Sequence, residues 1–152
     1  MCAGVAGEGE QVKFTCIIPG QPVPMGRPRI TTKGGFARAY LPKATRAWLD
    51  MASTIIRANH RTEPFDGAVG VRACFVHKRP KRLLRKKDPD TRMFRPHRAD
   101  IDNLCKCLLD GLQGSVLHDD GQVVFLEAHD LYCARDESPH VEVEVFTLTE
   151  AP

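Results

Sequence analysis

Residues 102–133, DNLCKCLLDGLQGSVLHDDGQVVFLEAHDLYC, change their hydrophobic period partway along. Between Asn103 and Leu112 the apolar residues Leu104, Leu108 and Leu112 recur every fourth position, which lines them up on one face of a helix. Asp102 stands where an N-cap is expected, and Gly114 where the helix should end. From Gln122 to Cys133 the pattern becomes an apolar run that predicts a strand. A helix leading through a short turn into a buried strand belongs to a sheet covered by helices.

Further out, Val12–Ile18 (VKFTCII) and Ala68–Val76 (AVGVRACFV) predict two more strands. Between them, Pro42 to about Asn59 predicts a helix, because Trp48, Met51, Ala52, Ile55 and Ile56 fall on one helical face. Val141–Leu148 alternates Val141, Val143 and Val145 with Glu142 and Glu144, as a half-buried strand does. The expected fold is therefore a single domain of α/β (α+β) class over all 152 residues, a mixed β-sheet packed with two main helices. Residues 1–10 and 149–152 are expected to be flexible.

No run approaches the ~18 apolar residues of a membrane span. The start MCAGVAGEGE carries glutamates where a signal peptide needs a basic and then an apolar stretch. A soluble, cytoplasmic protein is expected. The six cysteines (Cys2, Cys16, Cys74, Cys105, Cys107, Cys133) include no CxxC pair and no zinc spacing, so reduced packing residues are expected.

The net charge of +3 hides a strong asymmetry. Residues 1–76 stand at +5, residues 77–98 at +8 and residues 99–152 at −10. A polyanion-binding stretch beside an acidic region that needs a cation suits an enzyme acting on nucleic acid. The basic stretch holds Lys78, Arg79, Lys81, Arg82, Arg85, Lys86, Lys87, Arg92, Arg95 and Arg98 and is too charged and proline-interrupted to belong to the core. It predicts a long, partly mobile DNA-binding loop, with Arg27 and Arg29 adding phosphate contacts from a proline-rich loop.

That basic stretch leads straight into Asp100 and Asp102. In an extended segment these two carboxylates point to one side while Ile101 turns into the core. Capping alone would explain Asp102, and an ordinary ion pair with Lys106 is enough for Asp110. Lys106, one turn into the helix, is placed to reach a scissile phosphate. Asp119 and Asp120 would by themselves make a turn before Gly121. Clustered with Asp100 and Asp102 they would repel severely unless a hard cation lay between them, which suits Mg²⁺, with Mn²⁺ able to substitute, and not zinc. His118 is better placed as a turn residue than as a ligand.

The string from Arg98 through Asp100-Ile101-Asp102-Asn103 to Lys106, followed by Leu109-Asp110-Gly111-Leu112 and Asp119-Asp120-Gly121-Gln122-Val123, resembles the RusA family of Holliday-junction resolvases. The segment Gly20-Gln21-Pro22-Val23-Pro24-Met25-Gly26-Arg27-Pro28-Arg29 resembles that family's proline and arginine loop. The resemblance runs from about Phe14 to Phe146. It implies a magnesium-dependent endodeoxyribonuclease that acts as a homodimer and makes paired incisions across a four-way DNA junction in recombination and repair. It also implies a nucleoid-associated protein of the kind often encoded by phage or prophage. By residue match, Asp100, Asp102 and Asp120 are the metal ligands, Lys106 the catalytic lysine and Asp119 a supporting acid. The expected DNA contacts are Arg27, Arg29, Lys78, Arg79, Lys81, Arg82, Arg85, Lys86, Lys87 and Arg98. Ala99, where proline or a basic residue is common in the family, and the long basic loop are departures. Two alternatives keep part of this picture: a broader flap or branched-DNA nuclease with the same site, and a non-catalytic DNA-binding accessory protein.

Overall fold

The computed structural model describes residues 10–97 and 101–149. The chain runs β1 (Glu10–Pro19), β2 (Arg29–Thr31), β3 (Arg38–Tyr40), α1 (Lys43–Asn59), β4 (Val69–His77), β5 (Met93–Phe94), α2 (Ile101–Leu112), β6 (Val123–Tyr132) and β7 (His140–Leu148). Five strands form one sheet in the order β1-β7-β4-β6-β5, and β2 and β3 pair separately as a hairpin. β4 and β6 run parallel, while β1 with β7, β4 with β7 and β5 with β6 are antiparallel. The expected α+β domain with a mixed sheet and two helices is what forms.

The core lies between one sheet face and the two helices. Val69, Val71 and Phe75 of β4 and Val141, Val143 and Val145 of β7 meet Trp48, Ala52 and Ile56 of α1 and Leu104, Leu108 and Leu112 of α2. The period-2 pattern of β7 therefore has its expected consequence, with Glu142 and Glu144 on the other face. β4 is buried along its whole length because it is the central strand, flanked by β7 and β6.

Four expectations need correction. α2 begins at Ile101, so Asp102 lies in its first turn instead of capping it, and Ile101 is exposed instead of entering the core. The proline-rich loop is followed by the β2–β3 hairpin, where no strand was expected. Residues 77–97, expected as one long loop, carry elements of their own: His77 closes β4, a 3₁₀ turn spans Lys81–Leu83 and β5 joins the sheet edge. Cys16, Cys105, Cys107 and Cys133 are buried thiols as expected, but Cys74 is disulfide-bonded. Cys2, Arg98, Ala99 and Asp100 lie outside the described residues.

Candidate functional site

α2 is held by its buried stripe of Leu104, Cys105, Cys107, Leu108, Gly111 and Leu112, which leaves Asp102 and Lys106 on the exposed side. Asp102, Lys106 and Asp110 are spaced four apart and share a face. Burial pushes the Asp110 carboxyl above its ordinary range; the Lys106 ammonium opposes this and the Asp120 charge adds to it. The charges of Lys106 and Asp120 thus both reach Asp110. Burial and the nearby Asp102 charge push the Cys105 thiol up to about 11, which leaves it a packing group without thiolate character.

Asp120 is exposed at the start of a 3₁₀ turn, Asp120–Gln122, that feeds directly into β6. Asp119 caps this turn, its carboxylate accepting the Gly121 N–H at 2.7 Å. Its geometry is that of a brace. Gln122 fastens the turn to the body, donating through Nε2 to the carbonyls of Phe65 at 2.7 Å and Gly67 at 3.0 Å. No such role was expected of Gln122, though its position three residues after Asp119 is a capping-box spacing. His118 is exposed and lies 3.2 Å from Asp66, consistent with a turn residue.

The proline-rich loop crosses the opening turn of α2. The Met25 N–H donates to the Asn103 carbonyl at 2.8 Å, and Gln21 donates to His77 Nδ1 at 2.9 Å while accepting from the Lys78 N–H at 3.0 Å. The buried Thr45 hydroxyl accepts from the Gly26 N–H at 3.3 Å and donates to the Pro24 carbonyl at 3.4 Å. Gly26 is required there, because a Cβ would come within 2.6 Å of Pro42. These ties carry Arg27, Arg29 and Lys78, all exposed, to the end of the molecule where α2 begins. A recess bounded by Phe94, Arg95, His97, Ile101 and Asp130 adjoins the same turn.

The basic lobe divides its cations into two groups. Arg79, expected to contact DNA, is buried and donates to the backbone carbonyls of Cys133 at 2.9 Å, Pro89 at 2.6 Å, Leu83 at 3.5 Å and Thr91. It is the lobe's internal staple and has no face for phosphate. Arg92 and Arg95 are also committed, to Glu137 and Glu142 and to Asp130. Lys81, Arg82, Arg85, Lys86 and Lys87 remain exposed.

Among the described residues, the metal-competent groups that converge are Glu137, His140 and Glu142. The Arg92 guanidinium already joins this set, 2.5 Å from Glu137 and 2.6 Å from Glu142, so it is an ion-pair network. Asp102, Asp119 and Asp120 form no such close group among the described residues, and their expected companion Asp100 lies outside them. The donors at α2 and the following turn nevertheless fit a hard divalent ion: they are all carboxylates, Asp102 and Asp120 are exposed, and the repulsion that Asp120 exerts on Asp110 is of the kind a cation relieves. No helix among the described residues is long and apolar enough to cross a membrane.

Two comparisons bear on this geometry. The chain is similar to Uncharacterized protein YqaN of Bacillus subtilis (strain 168), 29% identical over 140 residues, which covers 88% of this chain and 94% of the relative. Residues 19–146 match the family model described as Endodeoxyribonuclease RusA.

Proposed function

Because the chain belongs to the RusA endodeoxyribonuclease family, we propose that it is a magnesium-dependent, structure-specific endonuclease that resolves four-way DNA junctions by paired, symmetric incisions in recombination and repair. The observation that carries this is the placement of Asp102 and Lys106, exposed on α2, whose first turn is tied by Met25 to an arginine-bearing loop. Asp100, Asp102 and Asp120 are the residues to hold Mg²⁺, with Mn²⁺ able to replace it. When bound, the ion supplies a water nucleophile at neutral pH and stabilises the leaving oxygen. Lys106 stabilises charge on the phosphate, and Asp119 keeps Asp120 in place through the turn that it caps. Arg27, Arg29, Lys78, Lys81, Arg82, Arg85, Lys86, Lys87 and Arg98 hold the DNA backbone on either side.

Matched cuts in two strands of like polarity call for two sites related by a two-fold axis, hence a homodimer. Support comes from β6. Among the described residues β5 pairs only with Leu131 and Tyr132, and Val124 and Leu126 are exposed on the preceding length of strand at 66% and 47%. A long, apolar strand at a sheet edge is a template for pairing with a second copy.

The test is cleavage of a labelled four-way junction in Mg²⁺ beside flap, linear duplex and single-stranded substrates, with Asp102→Asn as control. Symmetric cuts confined to the junction support the proposal. Equal cutting of flaps and forks replaces it with a broader nuclease, and binding without cleavage in Mg²⁺ or Mn²⁺ with an accessory protein.

A further inference from the structure

The β2–β3 hairpin packs on little of the body. Every residue from 27 to 40 except Thr31 is exposed, and only three pairs of residues join its strands, Arg29 with Tyr40, Ile30 with Ala39 and Thr31 with Arg38. The turn is made by Gly34 and Gly35 at φ of 94° and 82°, which suits glycine. Phe36, next in the chain, is 74% exposed. A hairpin this short is marginal alone in water, and an unpacked aromatic at its tip adds nothing to the fold.

Its chemistry is one-sided. From residue 11 to residue 49 the sequence contains no Asp or Glu, while Arg27, Arg29, Lys33 and Arg38 fall on or beside the hairpin. Directly paired residues share a sheet face, so Arg29, Tyr40 and Arg38 stand together on one side. Cations interleaved with exposed aromatics are the equipment of a surface that follows a phosphate backbone and stacks on bases. Inside a duplex Phe36 would first have to unstack a base step. At a branch point, base-pair faces are already open. The base of the hairpin is fixed four residues earlier, at Met25, to the turn of α2 that carries Asp102. The three strand residues Arg29–Thr31 then carry the tip about 10 Å beyond the start of the hairpin.

We propose that the β2–β3 hairpin is the branch-sensing element of the enzyme: Phe36 stacks on the open base-pair face at the centre of a DNA junction while Arg29 and Arg38 grip the flanking phosphates. This rests on the nuclease function proposed above and names what that site recognises. The experiment is binding without divalent metal to a synthetic four-way junction with 2-aminopurine beside the crossover, and to a linear duplex of the same sequence. Wild type, Phe36→Ala and Phe36→Trp are compared at one salt concentration. The wild-type chain should lower the 2-aminopurine fluorescence on the junction as the ring stacks on the open face. Phe36→Ala should lose that quenching and about tenfold of junction affinity, with duplex affinity unchanged, and Phe36→Trp should keep both. Unchanged junction affinity and fluorescence in Phe36→Ala would overturn the proposal. So would an equal loss on junction and duplex, or a change of oligomeric state without DNA, which would make the hairpin a protein contact. Since the readout is binding, a wild-type chain that gives the Phe36-dependent signal but never cuts in Mg²⁺ would sink the nuclease function alone.

Discussion

Asp119 and Gln122 cap one another across a single turn: the Gln122 side-chain oxygen accepts the Asp119 N–H at 3.1 Å, and the Asp119 carboxylate closes the same turn from the other end. Gln122 Oε1 also accepts from the His118 N–H at 2.8 Å, so this one amide satisfies two N–H groups and two carbonyls. Gln122→Glu keeps the shape but sets an acceptor against the carbonyls of Phe65 and Gly67. It should cost about 2 kcal/mol or more, read as a lower urea midpoint, and should slow cleavage because Asp120 rides on that turn.

Asp102→Asn should abolish cleavage while leaving junction binding in place. Lys106→Ala should lower the single-turnover rate about 10²- to 10³-fold with binding retained. A Lys106→Ala protein that cuts at the wild-type rate would remove this lysine from the chemistry.

Arg79 and the exposed lobe cations should separate cleanly. Arg79→Ala leaves several carbonyls without their donor and should destabilise the chain by about 3 kcal/mol. Neutralising Arg82, Arg85, Lys86 and Lys87 together should leave the denaturation midpoint nearly unchanged while weakening DNA binding and flattening its salt dependence. The log–log slope should fall by about 0.9 for each phosphate that is no longer neutralised.

His77 carries a pH signature. Burial, with Arg95 and His97 adding, lowers its folded pKa from 6.5 to about 4. The Gln21 amide donates to Nδ1, so the ring proton sits on Nε2, 2.9 Å from Asp130. Between pH 6.5 and about 4 the unfolded chain takes up a proton that the folded chain refuses. Its contribution is thus whole above pH 6.5 and falls by up to about 3 kcal/mol as the pH approaches 4. Asp130, raised by burial, gains protons in the folded state and offsets part of that loss. Unfolding midpoints measured from pH 7 to 4 should fall in the wild type and flatten in His77→Gln.

Val124→Lys places a charge on the open edge of β6. If that edge joins two copies, sedimentation should show a monomer where the wild type is a dimer, and paired incision should decay into single nicks. A Val124→Lys protein that stays dimeric would move the interface elsewhere.

Much of the fold is legible in the sequence because burial imposes a period. Leu104, Leu108 and Leu112 face the core together, and Val141, Val143 and Val145 do so on a strand. The hairpin is illegible for the complementary reason: with Ile30, Phe36 and Tyr40 all exposed, no buried face writes a pattern into RITTKGGFARAY. In the site, the grouping of Asp102, Lys106 and Asp110 follows from helical spacing alone. The division of labour among the arginines does not, since Arg79 and Arg82 are the same residue type in the same basic run. Only the carbonyls of Cys133, Pro89 and Thr91, which approach from distant positions, show that Arg79 is turned inward.

The parallel pairing of β4 with β6 joins Val69 to Val123 across the basic lobe and α2. Such a pairing closes a long loop before any contact repays the entropy of closing it, so it belongs to the slow part of folding. Asp102 lies within that loop, and Asp120 lies just before the strand that seals it. A nascent or half-folded chain therefore carries Asp102 and Asp120 without the pairing that fixes one relative to the other, and the two acids gain a defined relation only once β4 and β6 have joined.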